Sequence, residues 1–180
     1  MALLERCSVP EHIVRHSIQV ARAGLWLARR LEGASFFLDR RLVEASCLLH
    51  DISKMYSIEN GGEHALLACE FLERAGYGQV GQTVRQHVWL DAPVDEIPGI
   101  NEAMVVNYAD KRVRHHEVVS LEERFDDLFE RYADTREKKR RMRLMYEETR
   151  RMEKRIFSAI GAAPDALPLF EQDVVAFDKL

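Results

Sequence analysis

The sequence predicts an all-α fold, and three observations support this prediction. Apolar residues recur at three- and four-residue spacing along most of the chain, which is the period of an amphipathic helix. Polar or glycine-containing stretches separate these segments, and no run of alternating β-branched residues predicts a strand. The length of 180 residues is typical of one domain. We therefore expect a single bundle of about seven helices over residues 1–180.

The first predicted helix runs to about Leu31 and ends before Gly33. Its start carries a capping-box pattern, with Ser8 as the N-cap and Glu11 three residues later. The second helix is expected over about residues 39–55, because apolar positions at helical spacing continue through that segment.

The remaining predicted helices follow the same periodicity. The third, fourth and fifth are expected over about residues 63–75, 79–90 and 99–115. The sixth opens with a capping box at Ser120, and a second such box at Asp134 opens a long seventh helix that ends near Gly161. The tail after Pro164 is expected to pack as a short strap.

Composition restricts the class of protein. Hydrophobic residues make up 47% of the chain and charged residues 31%, which is typical of a soluble globular protein. No apolar run approaches the ~20 residues of a membrane span, and the N-terminus lacks a secretory pattern, so we expect a cytoplasmic protein with no membrane partner. Three cysteines without CxxC spacing indicate reduced, structural thiols: Cys7, Cys47 and Cys69.

The charge is unevenly distributed along the chain. The formal net charge of −4 disfavours a general nucleic-acid binder. Residues 136–155 nevertheless contain ten Lys or Arg and only four Asp or Glu. One interpretation is an interaction surface for RNA or an acidic partner. The competing interpretation is that these charged residues form a solvent-exposed helix face with Glu–Arg pairs, opposite an apolar stripe that packs on the core.

Histidines and aspartates hold the remaining chemical signal, since the sequence lacks the glycine-rich, P-loop, hydrolase-elbow and HExxH motifs. His50-Asp51 follows a buried apolar run, where a carboxylate needs a partner or a metal. The predicted helices around it each add one such residue near the core-facing side: His16, His64, His87 and Asp110. Imidazole and carboxylate together suit borderline divalent metals, and helical bundles build metal sites from inward side chains.

These residues, in this order, resemble the HD-domain superfamily of metal-dependent phosphohydrolases, in its HDIG-type branch. The resemblance covers about residues 10–115 and implies an HD-domain helical bundle around a metal centre. The sixth and seventh predicted helices then form a C-terminal helical extension over about residues 120–161. It implies four ligands of a first metal: His16, His50, Asp51 and Asp110. Asp51 would bridge to a second metal that His64 and His87 also bind. The paired histidines and GYP signature of cyclic-di-GMP phosphodiesterases are absent, since Val88 follows His87.

The resemblance also implies an activity. We expect hydrolysis of a small-molecule phosphate ester, either a monoester or a diester of a nucleotide, by a metal-activated water. Asp51 and Lys54 are the expected catalytic residues, with Lys54 contacting substrate phosphate. The expected cofactors are two divalent ions of Fe, Mn, Co or Zn, with Mg also compatible. The alternatives are a di-iron oxygenase and a non-enzymatic binding protein that uses residues 136–155, and a homo-oligomer is compatible with the sequence.

Four further polar side chains are expected at the surface. His12 lies one turn before His16 on a more polar face. Asp91 and the pair His115-His116 fall in polar stretches at predicted helix ends.

Overall fold

The computed structural model describes residues 2–167, which form a helical bundle with one small hairpin. The predicted all-α class is confirmed. The helices are α1 (Ala2–Arg6), α2 (Glu11–Gly33), α3 (Arg40–Leu49), α4 (Lys54–Asn60), α5 (His64–Arg74), α6 (Gly78–Arg85), α7 (Glu102–Lys111), α8 (Leu121–Tyr132) and α9 (Arg136–Ile160). The strands β1 (Val113–Arg114) and β2 (Glu117–Val118) pair antiparallel.

Helix α2 is the central element of the bundle. It is buried on most sides, and it packs against α3, α7 and α9. The largest apolar cluster forms around it and includes Leu27, Met104 and Ile156, all fully buried. Gly24 allows the close approach of α3, because a Cβ at this position would lie only 2.7 Å from Cys47 Sγ.

A second, smaller apolar cluster lies beside the turn that follows α3. It joins α1, this turn, α5 and α6 through six buried side chains: Leu4, Leu49, Ile52, Ala68, Leu72 and Val84. This cluster fixes the starts of α4 and α5 relative to α3. Both helix starts carry polar residues that the sequence analysis singled out.

The N-terminal region differs from the prediction. Ser8 does not cap a helix but has a left-handed backbone with φ of 49°. Helix α2 begins three residues later with Pro10 as its N-cap, and no side chain caps it. The short helix α1 was not predicted, because five residues are too few to show a helical period.

The second predicted helix is two helices. α3 ends at Leu49, residues 50–53 form a turn, and α4 begins at Lys54. Asp39 caps α3 by accepting from the backbone N–H groups of Arg41 and Leu42. Periodicity could not show the break, because the buried Ile52 lies within the turn and continues the helical spacing of Leu48 and Leu49.

The fourth and fifth predicted helices are shorter than expected. α6 ends at Arg85, so His87 lies in an irregular segment just beyond it. α7 begins at Glu102 and is capped by Asn101, whose side chain accepts from Met104 N–H. The chain after α7 turns into the β1–β2 hairpin, so His115 and His116 lie in its turn rather than at a helix end.

The C-terminal helices agree better with prediction. Ser120 and Glu123 form the predicted capping box at the start of α8. α9 ends at Gly161, which has the left-handed conformation of a helix terminus. Its N-cap, however, is Thr135 and not Asp134.

Helix α9 is anchored to the bundle by a buried arginine. Arg112 donates to the Tyr108 hydroxyl, which itself donates to Glu153 of α9 over 2.6 Å. Arg112 also donates to the carbonyl oxygens of Val119 and Pro164. One guanidinium thus joins α7, the hairpin exit, α9 and the segment after it.

Two predictions concern the C-terminal tail and the absence of a membrane span. Of the predicted strap after Pro164, Leu167 is buried in the main core, and residues 168–180 lie outside the part that the structure describes. Among the described residues, no helix is long and apolar enough to span a membrane.

Candidate metal centre

The six side chains expected as ligands converge at one place inside the bundle. They come from the middle of α2, the turn after α3, the start of α5, the segment after α6 and the end of α7: His16, His50, Asp51, His64, His87 and Asp110. All except His64 are buried. Residues separated by up to 94 positions in sequence therefore share one polar centre in an apolar surrounding.

A first group of donor atoms surrounds the Nε2 atoms of His16 and His50. Asp110 Oδ1 lies 3.2 Å from His16 Nε2 and 3.5 Å from His50 Nε2. Asp51 Oδ2 lies 3.5 Å from His50 Nε2. An ion about 2.0–2.2 Å from each ligand would have neighbouring ligands about 3.0–3.6 Å apart. The observed spacing matches that geometry.

A second group uses the other oxygen of the same aspartate. Asp51 Oδ1 lies 3.5 Å from His64 Nε2 and 3.9 Å from His87 Nε2. The two imidazole nitrogens lie 3.0 Å apart. Asp51 thus belongs to both groups and presents one carboxylate oxygen to each.

Backbone carbonyl groups orient three of the imidazoles. His50 Nδ1 lies 2.7 Å from Cys47 O, and His87 Nδ1 lies 2.7 Å from Val84 O, each carbonyl three residues earlier in the chain. His16 Nδ1 lies 2.9 Å from the carbonyl oxygen of His115. Carbonyl groups accept only, so each of these Nδ1 atoms donates a hydrogen bond and each Nε2 atom faces the centre.

His50 shows most directly that the centre fits a cation. Its Nε2 is fully buried and has no hydrogen-bond partner among the described residues, while the carboxylates of Asp51 and Asp110 face it. Burial lowers the pKa of His50, but these two carboxylates outweigh burial and raise it above its ordinary value. The site therefore favours a positive charge at this nitrogen, and a metal ion supplies one.

The other titratable groups respond to the same field. Burial and then the charge of His50 lower the pKa of His87 to about 3, so its ring is neutral at neutral pH. Burial would raise the pKa of Asp51, but His50 and Lys54 hold it well below its ordinary value. Neutral imidazoles beside ionised carboxylates are the protonation states that metal binding requires.

Lys54 lies beside the centre through its contact with Asp51. Its Nζ donates to Asp51 Oδ2 over 2.6 Å, and its side chain is 37% exposed. Lys54 is the first residue of α4. A cation at the N-terminal end of a helix opposes the helix dipole, so Lys54 does not stabilise α4 by its position.

Two residues at the centre were missed in the sequence analysis. Lys111 is fully buried, and its Nζ donates to Asp110 Oδ2 over 3.2 Å and to the carbonyl oxygen of His87 over 2.5 Å. His115 contributes its backbone carbonyl to His16 from a residue with φ of 56°. A lysine next to an expected ligand was the available signal for the first, and no sequence signal marks a carbonyl group.

The residues expected at the surface are exposed. His12, His116 and the side chain of His115 face solvent. Asp91 is exposed and pairs with Arg85 at 2.6 Å. His115 has an additional contact, because its ring Nε2 lies 3.0 Å from Arg131 Nη2 at the end of α8.

A cavity of about 470 Å³ borders the centre at Asp51. The segment before α2, the 50–53 turn and α5 form its walls. The lining is mainly apolar and includes Tyr56 and Phe71, with Arg74 as its basic side chain. Its size is within the usual range of small-molecule sites.

Comparison with known proteins agrees with this geometry. The profile of the HD domain family matches residues 13–115, which is more than half of the chain and includes all six converging residues. The chain belongs to the HD-domain family. His50 and Asp51 are an adjacent histidine and aspartate within the matched residues.

One curated relative is Ribonuclease Y from Acidothermus cellulolyticus, which is 27% identical over 139 residues. The aligned region covers 69% of this chain and 27% of that protein, so the chain spans about a quarter of the length of this relative. No solved structure matches the chain.

Proposed function

We propose that this HD domain is a metal-dependent phosphohydrolase that acts on a nucleotide phosphate ester. The observation that carries the proposal is the position of Asp51, whose two carboxylate oxygens face two separate groups of nitrogen donors. A carboxylate shared in this way suits a pair of divalent ions. The single-metal alternative would leave His64 and His87 without a role.

The two groups would hold the two ions. His16, His50, Asp51 and Asp110 would bind the first, and Asp51, His64 and His87 the second. Mixed imidazole and carboxylate ligands suit Fe, Mn, Co or Zn. When bound, such ions lower the pKa of a water molecule and neutralise charge on a phosphoryl group.

Lys54 would contact the substrate phosphate. Its ammonium group lies at Asp51, and more than a third of its side chain is exposed. An ammonium group donates hydrogen bonds and cannot ligate a metal while charged. Lys54 is the basic residue of α4, so its ammonium group would bind a substrate phosphate at the centre.

The cavity beside Asp51 supports a nucleotide as the ester. Tyr56 and Phe71 offer aromatic surface to a base or another flat apolar group, and Arg74, which pairs with Glu70 of the same lining at 3.5 Å, is its basic side chain. A relative that is named a ribonuclease also supports a phosphodiester of a nucleotide as substrate. The cavity volume of about 470 Å³ is large enough for a mononucleotide-sized ligand.

Metal analysis combined with an activity panel tests the proposal. The purified protein is analysed for its metals, stripped with chelator and reloaded with Mn, Co, Ni or Mg. It is then assayed with p-nitrophenyl phosphate, bis-p-nitrophenyl phosphate and a nucleotide set. We expect about two metals per chain and phosphate release that depends on them. A protein that stays metal-free contradicts the proposal, and an oxygen-consuming di-iron centre indicates the oxygenase alternative.

A further inference from the structure

The N-terminal half of α9 carries the strongest concentration of charge in the molecule. Six of the eight residues from 136 to 143 are Lys or Arg, and one is acidic. Residues 136–141 and Arg143 are all exposed, and they span about 12 Å of helix. One place on the fold is therefore strongly cationic, although the formal net charge of the chain is −4.

Most of these cations have no structural partner. Lys138 pairs with Asp134, but no ion pair or hydrogen bond to another described residue involves the side chains of five others: Arg136, Lys139, Arg140, Arg141 and Arg143. We call these five the basic patch. The Glu–Arg pairs that a solvated face would require occur only farther along α9, as at Glu148 and Arg151.

The patch also lies at the unfavourable end of its helix. The N-terminus of a helix carries partial positive charge, so cations in the first turn weaken the helix. Arg136, Lys138 and Lys139 lie in that first turn, with Glu137 as its acidic residue. Since Arg136 and Lys139 neither pair with a described residue nor stabilise α9, folding does not explain them.

The apolar side of α9 already packs on the core. This packing disfavours a lipid surface as the partner of the basic patch. Met142, Met145 and Tyr146 pack on the core, and the Tyr146 ring lies 5.0 Å from the Phe125 ring of α8. Leu144 is the exposed apolar side chain of this segment, at 53%. A lipid surface needs a free apolar face to accept the helix, and this helix has none.

The patch follows a helix whose last turn contacts a residue that supports the metal centre. Arg131, in the last turn of α8, contacts the ring of His115, whose carbonyl group holds His16. α9 begins four residues after Tyr132.

We propose that the basic patch binds the phosphate backbone of a single-stranded nucleic acid, without base preference. Four of the five cations are arginines, whose guanidinium groups match phosphate in a bidentate manner. No aromatic side chain lies among residues 136–143, so the contacts are to backbone and not to stacked bases. This binding surface goes beyond the proposed hydrolysis and does not depend on it.

Fluorescence anisotropy with a labelled oligouridylate of about 20 nucleotides tests the proposal on the full chain. The measurement is made in EDTA, so that hydrolysis cannot affect it, and is repeated with oligothymidylate. Between about 50 and 200 mM KCl, affinity should fall with a log–log slope of about −0.7 for each phosphate contacted, or about −3 to −4 for the whole patch.

A charge-matched pair of variants locates the site. The triple variant Arg140→Gln, Arg141→Gln, Arg143→Gln keeps good helix formers in α9 and should flatten the slope by about 2. We expect its affinity to fall about tenfold or more. The control triple Arg15→Gln, Arg29→Gln, Arg41→Gln removes the same charge from exposed arginines elsewhere and should bind almost as the parent does.

Three results would overturn the proposal. The first is no binding of either oligonucleotide at low salt, and the second is equal weakening by the two triple variants. The third is equally tight binding of poly-glutamate or of phosphatidylserine vesicles, which would indicate an acidic protein or a membrane. Circular dichroism and thermal melting show whether each variant is folded. Because every arm is metal-free, failure here leaves the hydrolysis test unaffected, and the reverse also holds.

Discussion

Asp51 is the residue on which both groups of donors depend, because each of its carboxylate oxygens faces a different group. It is 3% exposed and ionised in a buried setting. His50 and Lys54 compensate its charge on one side. His16 and His50 belong to the group at one carboxylate oxygen, and His64 and His87 belong to the group at the other.

We expect Asp51→Ala to abolish binding of both metals while the protein stays helical. His87→Ala should lose only the second metal, because the first group does not include it. Elemental analysis after dialysis measures the metal-to-protein ratio, with Asp91→Ala as a surface control. Full occupancy in Asp51→Ala would contradict the assignment of the site.

Lys54→Ala should retain metal but lose turnover. The ammonium group contacts Asp51 and no other described carboxylate, so the donor groups stay intact without it. If Lys54 stabilises charge only in the transition state, kcat should fall, and if it holds ground-state phosphate, KM should rise. Steady-state kinetics on the best ester of the panel distinguishes these results. Unchanged kinetics would remove Lys54 from the site.

The pKa of His87 predicts a pH dependence of stability in the metal-free protein. Burial and then His50 lower this pKa from 6.5 to about 3, so the folded protein keeps the ring neutral where the unfolded chain binds a proton. The stability that depends on neutral His87 is complete above about pH 6.5 and is lost as the pH falls towards 3.

Urea unfolding in chelator at several pH values checks this prediction. The free energy of unfolding of the parent should fall relative to that of His87→Gln as the pH decreases through this window. The difference between the two isolates His87 from the opposite effect of His50, whose pKa is raised. His12→Gln removes an exposed histidine and serves as the control. A difference that does not vary with pH would contradict the prediction.

At the scale of elements, the contact between α2 and α3 sets the distance between His16 and His50. Gly24 and Cys47 lie at this contact, and the added Cβ of an alanine would meet Cys47 Sγ at 2.7 Å. We expect Gly24→Ala to cost about 1–3 kcal/mol, because one of the two helices must move. Since α2 carries His16 and the turn that follows α3 carries His50, metal affinity should fall as well.

Gly33→Ala provides the matched control for this prediction. Gly33 lies in the same helix, and nothing lies within 4 Å of an added Cβ there. Higher helix propensity should leave stability unchanged or raise it by up to about 1 kcal/mol. Thermal unfolding and metal titration of both variants give the comparison. A Gly24→Ala protein as stable as Gly33→Ala would show that the contact is not limiting.

At the scale of the whole molecule, α9 and the metal-bearing helices share one core. Trp26 of α2 packs against Phe157 of α9 with ring centroids 6.5 Å apart. The buried Arg112 pairs with Glu153 of the same helix. We therefore expect the chain to unfold as one domain, with fluorescence and circular dichroism giving coincident transitions.

Glu153→Ala should destabilise this shared transition by about 3 kcal/mol or more, because it leaves the buried guanidinium of Arg112 without its carboxylate. Glu147→Ala removes an exposed glutamate from the same helix and should change stability by less than about 0.5 kcal/mol. Denaturant unfolding measures both. Two separate transitions, with only the first affected by Glu153→Ala, would show that α9 folds apart from the rest.

The helical class and most helix positions were predictable from local signals. The Ser120 capping box and the stop at Gly161 are local features, and both are present in the structure. The break at residues 50–53 and the β1–β2 hairpin were not predicted. Both are short segments whose apolar residues face the core, so periodicity does not distinguish them from helix.

The sequence by itself determined the donor types and which segments carry them, because imidazole and carboxylate groups on apolar faces are visible in a periodic pattern. Only the tertiary structure decided how they meet. The sharing of Asp51, the carbonyl of His115 behind His16 and the burial of Lys111 all depend on contacts between distant segments. A helical period predicts which face of its helix a residue lies on. Which atom that residue contacts across the core depends on how the helices pack.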